Sequence, residues 1–243
     1  RSTSSSRRAS TDTSSRATSL RVVYVDEPLW PVPTEATWDF AEAFCPETDA
    51  IVDARQRADE LGVTAVSPGA GAMLRLIAAM THAKSIVEIG TGTGVTALWM
   101  LQGLRADGQL TSIDVEGEHH RIAREVLTGA DVPQGRVRLI SGRPAEILPR
   151  LQDGAYDVVL LNVEPAALNP MLDATLRLLR PGGIFAVSNI FGGNKVGDPA
   201  HRDPATVARR LFAHRVADEV RLIPALVAAG DGLLVGVHVP DEG

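Results

Sequence analysis

The run VEIGTGTGVTA, residues 87–97, carries Glu88 near the end of an aliphatic stretch and then three alternate glycines, Gly90, Gly92 and Gly94. Glycines at that spacing let a chain turn tightly and bring its backbone amides close to a ligand. Asp114 closes the next aliphatic run, twenty residues beyond Gly94. A carboxylate there can accept both hydroxyl protons of a ribose. Two cofactors compete for this pattern. Gly92-x-Gly94-x-x-Ala97 satisfies the dinucleotide fingerprint, with Asp114 at the ribose contact. Glu88 decides against a dinucleotide, because an acid two residues before the first glycine would sit beside a pyrophosphate. The same acid can meet the positively charged aminoacyl end of S-adenosylmethionine.

These residues need strands that end side by side. Five short aliphatic runs, at 85–90, 110–114, 137–141, 157–162 and 184–189, alternate with helix-like stretches at 95–104, 117–129, 144–152 and 166–180. Such alternation predicts βαβ units and a parallel sheet covered on both faces. After residue 219 the runs VRLIPALV and GLLVGVHV are joined by AAGDG with no helix between them, which predicts a hairpin. The fold class expected is therefore α/β, a Rossmann-like, doubly wound and mostly parallel sheet of seven strands ending in an antiparallel pair. Two helices precede it: one from Glu47 to Gly62, with Ile51, Ala54, Ala58 and Leu61 at helical spacing, and one over about 69–81.

The chain has 243 residues, enough for one domain with an arm, and 44% hydrophobic content, ordinary for a globular protein. No uninterrupted apolar run reaches the ~18 residues that a bilayer-spanning helix needs. The single Cys45 excludes an intrachain disulfide framework and a Cys-based zinc cluster, and makes a reducing, cytoplasmic compartment the default. Net charge is −6 overall. Residues 1–20 hold eight Ser, four Thr and four Arg against one Asp, so the acidity lies in the body of the chain. An acidic body argues against nucleic acid as the main partner. The organisation expected is a disordered tail over 1–20, an irregular arm over 21–46 broken by Pro28, Pro31, Pro33 and Pro46, and one domain over 47–243.

The segments SPGAGAMLRLIAAMTHAKSIVEIGTGTGVTAL, SIDVEGEHHRIARE, SGRPAEILPRL, YDVVLLNVEP, LLRPGGIFAVSN and IPALVAAGDGLLVGV together resemble bacterial O-methyltransferases related to catechol and caffeoyl-CoA O-methyltransferases. The resemblance runs in order over about residues 40–240. It implies the class I methyltransferase fold, S-adenosylmethionine as cofactor, a small hydroxylated acceptor and a homodimer. Carried over by position, Ser67 and Gly71 lie near the methionine and sulfonium end. Glu88 and Gly90 hold the amino-acid part, with Thr96 at the start of the following helix and Gly92 also at the cofactor. Asp114 takes the ribose, and Arg143 and Pro144 flank the adenine, where Pro144 lacks the N–H that family members often offer.

The same resemblance exposes a departure. The family binds a divalent cation with an Asp after the fourth strand and an Asp-Asn pair after the fifth; the first Asp begins an Asp-x-Asp-Lys run whose Lys can act as base. The matching residues here are Asn162, Ser188 and Asn189, with Glu164 at the second Asp and Pro165 at the Lys. Mg²⁺ and Ca²⁺ rely on carboxylate oxygens, so no functional metal is expected. Asn162 and Asn189 become the candidates for orienting an acceptor hydroxyl. Lys195 and His201, in the loop after the fifth strand, are weaker candidates for a base. His119 and His120 read as surface residues, His82 and His238 as structural or exposed. Arg209, Arg210 and Arg215 read as a solvated helix face or as partners for the acidic body, ahead of a contact to coenzyme A phosphates. The leading expectation is a metal-independent O-methyltransferase. A non-catalytic S-adenosylmethionine-binding or interaction protein and a nicotinamide-dependent oxidoreductase stay open as alternatives.

Overall fold

The computed structural model describes residues 31–239. The expected tail over 1–20 and the arm as far as residue 30 lie outside the described residues. Residues 31–34 have no regular secondary structure, and every element described belongs to the unit Glu35–Gly243. Among the described residues no helix is long and apolar enough to cross a membrane.

Helix α1 spans Glu35–Ala43, so the stretch expected to be irregular contains a helix. It fits because Pro33 and Pro46 leave residues 34–45, just over three turns of proline-free chain, between them. Its Glu42 carboxylate accepts the backbone N–H groups of Gly69 at 2.8 Å and Gly230 at 2.7 Å, which ties α1 to the next helical layer. Helix α2, Asp49–Leu61, starts on Thr48, whose side chain accepts from Ile51 N–H, and stops at Gly62 with φ 67°. Helix α3, Pro68–Met80, starts on Ser67 with Pro68 in its first turn. Helix α4, Val95–Gly103, packs against α3 across two glycines. A Cβ at Gly71 would lie 2.4 Å from the ring of the fully buried Trp99, and one at Gly103 would lie 2.1 Å from the carbonyl oxygen of Arg75.

The sheet comprises β1 Ser85–Ile89, β2 Gln109–Asp114, β3 Val137–Ser141, β4 Tyr156–Leu161, β5 Leu179–Val187, β6 Leu222–Val227 and β7 Leu233–His238. Its order is β3-β2-β1-β4-β5-β7-β6, with β1 to β5 parallel and β7 antiparallel to both β5 and β6. The expected seven-stranded sheet with a terminal hairpin is the one observed. Strand β5 begins at Leu179, five residues before the aliphatic run that announces it. Arg180, Pro181, Gly182 and Gly183 carry no strand signal, and a register irregularity opposite Tyr156 and Val158 absorbs them. Helices α5 (Gly117–Gly129), α6 (Pro144–Ile147), α7 (Pro165–Leu178) and α8 (Pro204–Ala217) complete the two covering layers.

Two clusters of buried side chains fill the space on either side of the sheet. One gathers Trp99, Leu74, Ile86, Leu110 and Leu160 beneath α2–α5, and the other gathers Phe185, Phe212, Leu161, Leu172 and Val187 beneath α7 and α8. Register then does the positioning. Ile89 pairs with both Ile113 and Leu161, and Leu161 pairs with Val187, so these four residues form one row across the strands. Their successors Gly90, Asp114, Asn162 and Ser188 must therefore line the carboxyl edge at strand spacing, about 4.8 Å per step.

The α3–α4 contact is a steric limit, because the atom facing Gly103 is backbone and cannot rotate away. Gly103→Ala is expected to lower stability by about 1–3 kcal/mol, read as a fall in the urea midpoint. An unchanged midpoint would contradict the close approach.

Candidate functional site

Strand order reverses between β1 and β4, and the carboxyl edge at such a switch opens into a crevice. Here it is a cleft of about 830 Å³. Gly90 and Gly92 line one wall, and Asp114, Glu116 and His119 another. Asn162, Ser188 and Asn189 line the far side, with Gly192, Arg209 and Asp231 beyond them. Leu168 and Met171 of α7 supply apolar surface, and Pro144 closes the end nearest β3.

The glycine turn holds its shape through positive φ angles, 97° at Gly90, 51° at Gly92 and 94° at Gly94. A Cβ at Gly90 would come within 1.9 Å of the carbonyl oxygen of Asn162. The turn is thus pressed onto the end of β4. The ladder continues one step past the strands, with Gly90 N–H donating to Ile113 O and Asn162 N–H to Ile89 O, both at 2.8 Å.

Asp114 accepts from Glu116 N–H at 2.9 Å through Oδ1, and from Gly92 N–H at 3.1 Å through Oδ2. His119 Nδ1 lies 3.0 Å from Oδ2. Burial pushes the Asp114 carboxyl up, but the bonds from Glu116, His119 and Gly92 outweigh it and hold it below the usual carboxylate range. An ionised carboxylate only accepts, so Nδ1 of His119 carries the proton between them. Of the four lone-pair positions on Asp114, one on Oδ1 stays available for a ligand's hydroxyl.

Glu88 sits in the opposite environment. It is fully buried; Ser112 Oγ donates to its Oε2 at 2.6 Å, and its Oε1 has no partner. Thr91 Oγ1 lies 2.7 Å from Ser112 Oγ and 3.3 Å from His120 Nε2, which extends the buried polar chain. Burial raises the Glu88 carboxyl to about 8; the Ser112 bond opposes this and the Asp114 charge adds to it. Burial also lowers the His120 imidazole.

Of the residues singled out in the sequence, Gly90, Gly92, Asp114, Pro144, Asn162 and Asn189 come together around the cleft. Glu88 lies buried and does not line it, nor do Thr96, Ser67, Gly71 and Arg143. Ser67 accepts from Ala70 N–H as the cap of α3, and Gly71 makes room for Trp99. Lys195 and His201 are exposed and do not line the cleft. The surface reading of His119 and His120 is corrected: the first lines the cleft on Asp114, and the second is buried on Thr91. The solvated-face reading of α8 is corrected too. Arg209 lines the cleft, Arg210 donates to four carbonyls of the 195–201 loop, and Arg215 pairs with Asp173.

A metal ion would meet Asn162, Ser188 and Asn189, with Glu164 lining the same cleft. Asn162 Oδ1 already accepts the Ser188 hydroxyl at 3.0 Å, and both groups are neutral. Among the described residues, no three His, Cys, Asp or Glu side chains converge in a way that could hold a metal ion. That donor set does not fit a hard divalent cation.

Comparison with known proteins gives a consistent result. Residues 50–239 match the model of a family described as O-methyltransferase. A probable O-methyltransferase of Mycobacterium tuberculosis is 42% identical over 215 residues, covering 88% of this chain and 96% of that one. Among solved structures, a Corynebacterium glutamicum protein superposes with a TM-score of 0.77 at 28% identity, over 84% of this chain and 96% of that chain. An O-methyltransferase of tomaymycin synthesis from Streptomyces achromogenes, solved with S-adenosylmethionine, superposes with a TM-score of 0.73 at 27% identity, over 83% and 95%.

The protonated Glu88 has a thermodynamic signature. A carboxyl held protonated up to about 8 in the folded state, but ionising at its ordinary value when unfolded, makes stability fall as pH rises between those values. Glu88→Gln removes that dependence. The variant is expected to gain roughly 2–4 kcal/mol on the wild type between about pH 5 and about pH 8, measured by urea denaturation. Parallel pH profiles for the two proteins would contradict it.

Proposed function

The chain belongs to the O-methyltransferase family, and from that membership we propose that it methylates a hydroxyl of a small acceptor without a metal ion. S-adenosylmethionine is the cofactor, and it supplies a methyl group on a cationic sulfonium. Family membership sets aside the nicotinamide alternative that the glycine fingerprint leaves open.

Asp114 holds the ribose in this reading, because it is ionised and keeps acceptor capacity beside the glycine turn. Gly90 and Gly92 let the cofactor's amino-acid part approach the backbone. Pro144 packs on the adenine end and offers no N–H there. Asn162 and Asn189 orient the acceptor, through side chains that both donate and accept. Apolar Leu168 and Met171 favour an acceptor with an apolar body.

The observation that carries metal independence is the Asn162–Ser188 hydrogen bond. Two positions that would need charge instead satisfy each other. Catalysis then rests on proximity and orientation of the hydroxyl against the sulfonium. Lys195 and His201 lie away from the cleft, so neither supports a role as base. The reading extends to a cytoplasmic homodimer; a one-chain mass in sedimentation at micromolar concentration would contradict the dimer.

Calorimetric titration of S-adenosylhomocysteine tests the cofactor assignment. Binding is expected to be unaffected by EDTA and weakened about 10–100-fold by Asp114→Asn; undiminished affinity in the variant would overturn the ribose assignment. Mg²⁺ is not expected to bind the wild type, whereas Asn162→Asp combined with Ser188→Asp should create Mg²⁺ binding. No gain in metal affinity would count against this placement of the site.

A further inference from the structure

Among the described residues, Arg209 is the only arginine or lysine that lines the cleft, and it forms no ion pair. Its neighbours on α8 are satisfied, Arg210 by loop carbonyls and Arg215 by Asp173. Arg209 is half-buried and its Nε–H donates to the carbonyl oxygen of Asn189 at 3.1 Å. That bond fixes the guanidinium and leaves the end-on pair Nη1 and Nη2 unused. Gly192 packs over it, since a Cβ there would lie 3.1 Å from Cδ and 3.3 Å from Nη1 of Arg209. A cation that has lost part of its hydration, has no acid partner and faces a ligand cleft is poised for an anion.

Position decides whose anion it is. Asp114 ends β2 and Asn189 follows β5, three strand spacings apart, or about 14 Å. The glycine turn follows β1, two spacings from β5. Arg209 therefore lies on the acceptor side of Asn162, away from the residues assigned to the cofactor. The remaining charges narrow the choice. Glu116, Glu164 and Asp231 line the cleft together with Asp114, and this acidic surround disfavours a doubly charged group. A carboxylate carries one charge, and its two oxygens match the end-on guanidinium edge.

We propose that Arg209 binds a carboxylate of the acceptor, so the substrate class is a small hydroxylated carboxylic acid. This rests on the methyltransferase reading above and adds a specificity-determining residue to it. The acid is anchored at Arg209 while its hydroxyl is presented between Asn162 and Asn189.

The test is calorimetric titration of the full chain loaded with S-adenosylhomocysteine, using matched probes: 3,4-dihydroxybenzoate against 3,4-dihydroxybenzamide, and 4-hydroxycinnamate against its amide. At least one acid is expected to bind about tenfold or more tightly than its amide. The wild-type comparison needs no variant, so it stands even where a substitution disturbs the Asn189 loop. In Arg209→Gln the preference should fall to near unity with S-adenosylhomocysteine affinity unchanged, and Arg209→Lys should restore part of it. Equal binding of acid and amide, no binding by either acid, or a preference that survives Arg209→Gln would overturn the proposal. Loss of S-adenosylhomocysteine binding in Arg209→Gln would overturn it too, by moving the side chain to the cofactor. Failure of the wild type to bind S-adenosylhomocysteine at all would instead sink the methyltransferase reading, and the acceptor class with it.

Discussion

A first side-chain carbon at position 90 would lie 1.9 Å from the carbonyl oxygen of Asn162, a separation that no residue but glycine tolerates. This contact presses the turn after β1 against the end of β4. It brings the glycine turn beside the Asn162–Ser188 pair, which in the function proposed above sets cofactor beside acceptor. The rest of the architecture serves it. Parallel register aligns Ile89, Ile113, Leu161 and Val187 in one row, and the two buried clusters hold the strands in that register from both faces. Methyl transfer requires the acceptor oxygen to be in line with the sulfonium, so an error in this row would be an error in the reaction geometry.

The edge also separates two carboxyls by environment. Glu88 and Asp114 stand on adjacent strands, yet burial with a single hydroxyl donor pushes Glu88 towards its neutral form, whereas three donors keep Asp114 ionised. The neutral one sits in a buried chain of Ser112, Thr91 and His120. The ionised one faces the cleft, with His119 against it. Of these two carboxyls only Asp114 presents its charge to the cleft, and Glu88 does not compete with it. Beyond Asn189 the cleft adds a cation, Arg209, alongside Asp231.

Periodicity and punctuation made most of the fold legible. Gly62 ends a helix and Gly94 precedes one where the sequence places them, and every aliphatic run became a strand. The exceptions have local causes. The stretch from Arg180 to Gly183 looks like a loop because its strand pairing is irregular there, and α1 is hidden by the prolines that bound it. The site was legible where it depends on strand ends, at Gly90, Asp114, Asn162 and Asn189. It was not legible where it depends on how helices pack. Ser67 caps α3, Gly71 makes room for Trp99 of α4, and Glu88 is buried away from the cleft. His119 is brought to Asp114 by the first turn of α5, a spacing of five residues that could have signalled it. No spacing could have announced Arg209, because α8 reaches the cleft only through tertiary packing.

Metal-free methyl transfer is tested most directly by following the methyl label of S-adenosylmethionine into a panel of hydroxylated carboxylic acids, with EDTA and with added Mg²⁺. Labelled methyl ether, not methyl ester, formed at the same rate in both conditions is the expected result. Product that disappears with EDTA and returns with Mg²⁺ would contradict it, and would mean that Asn162, Ser188 and Glu164 hold a cation despite their neutral pair.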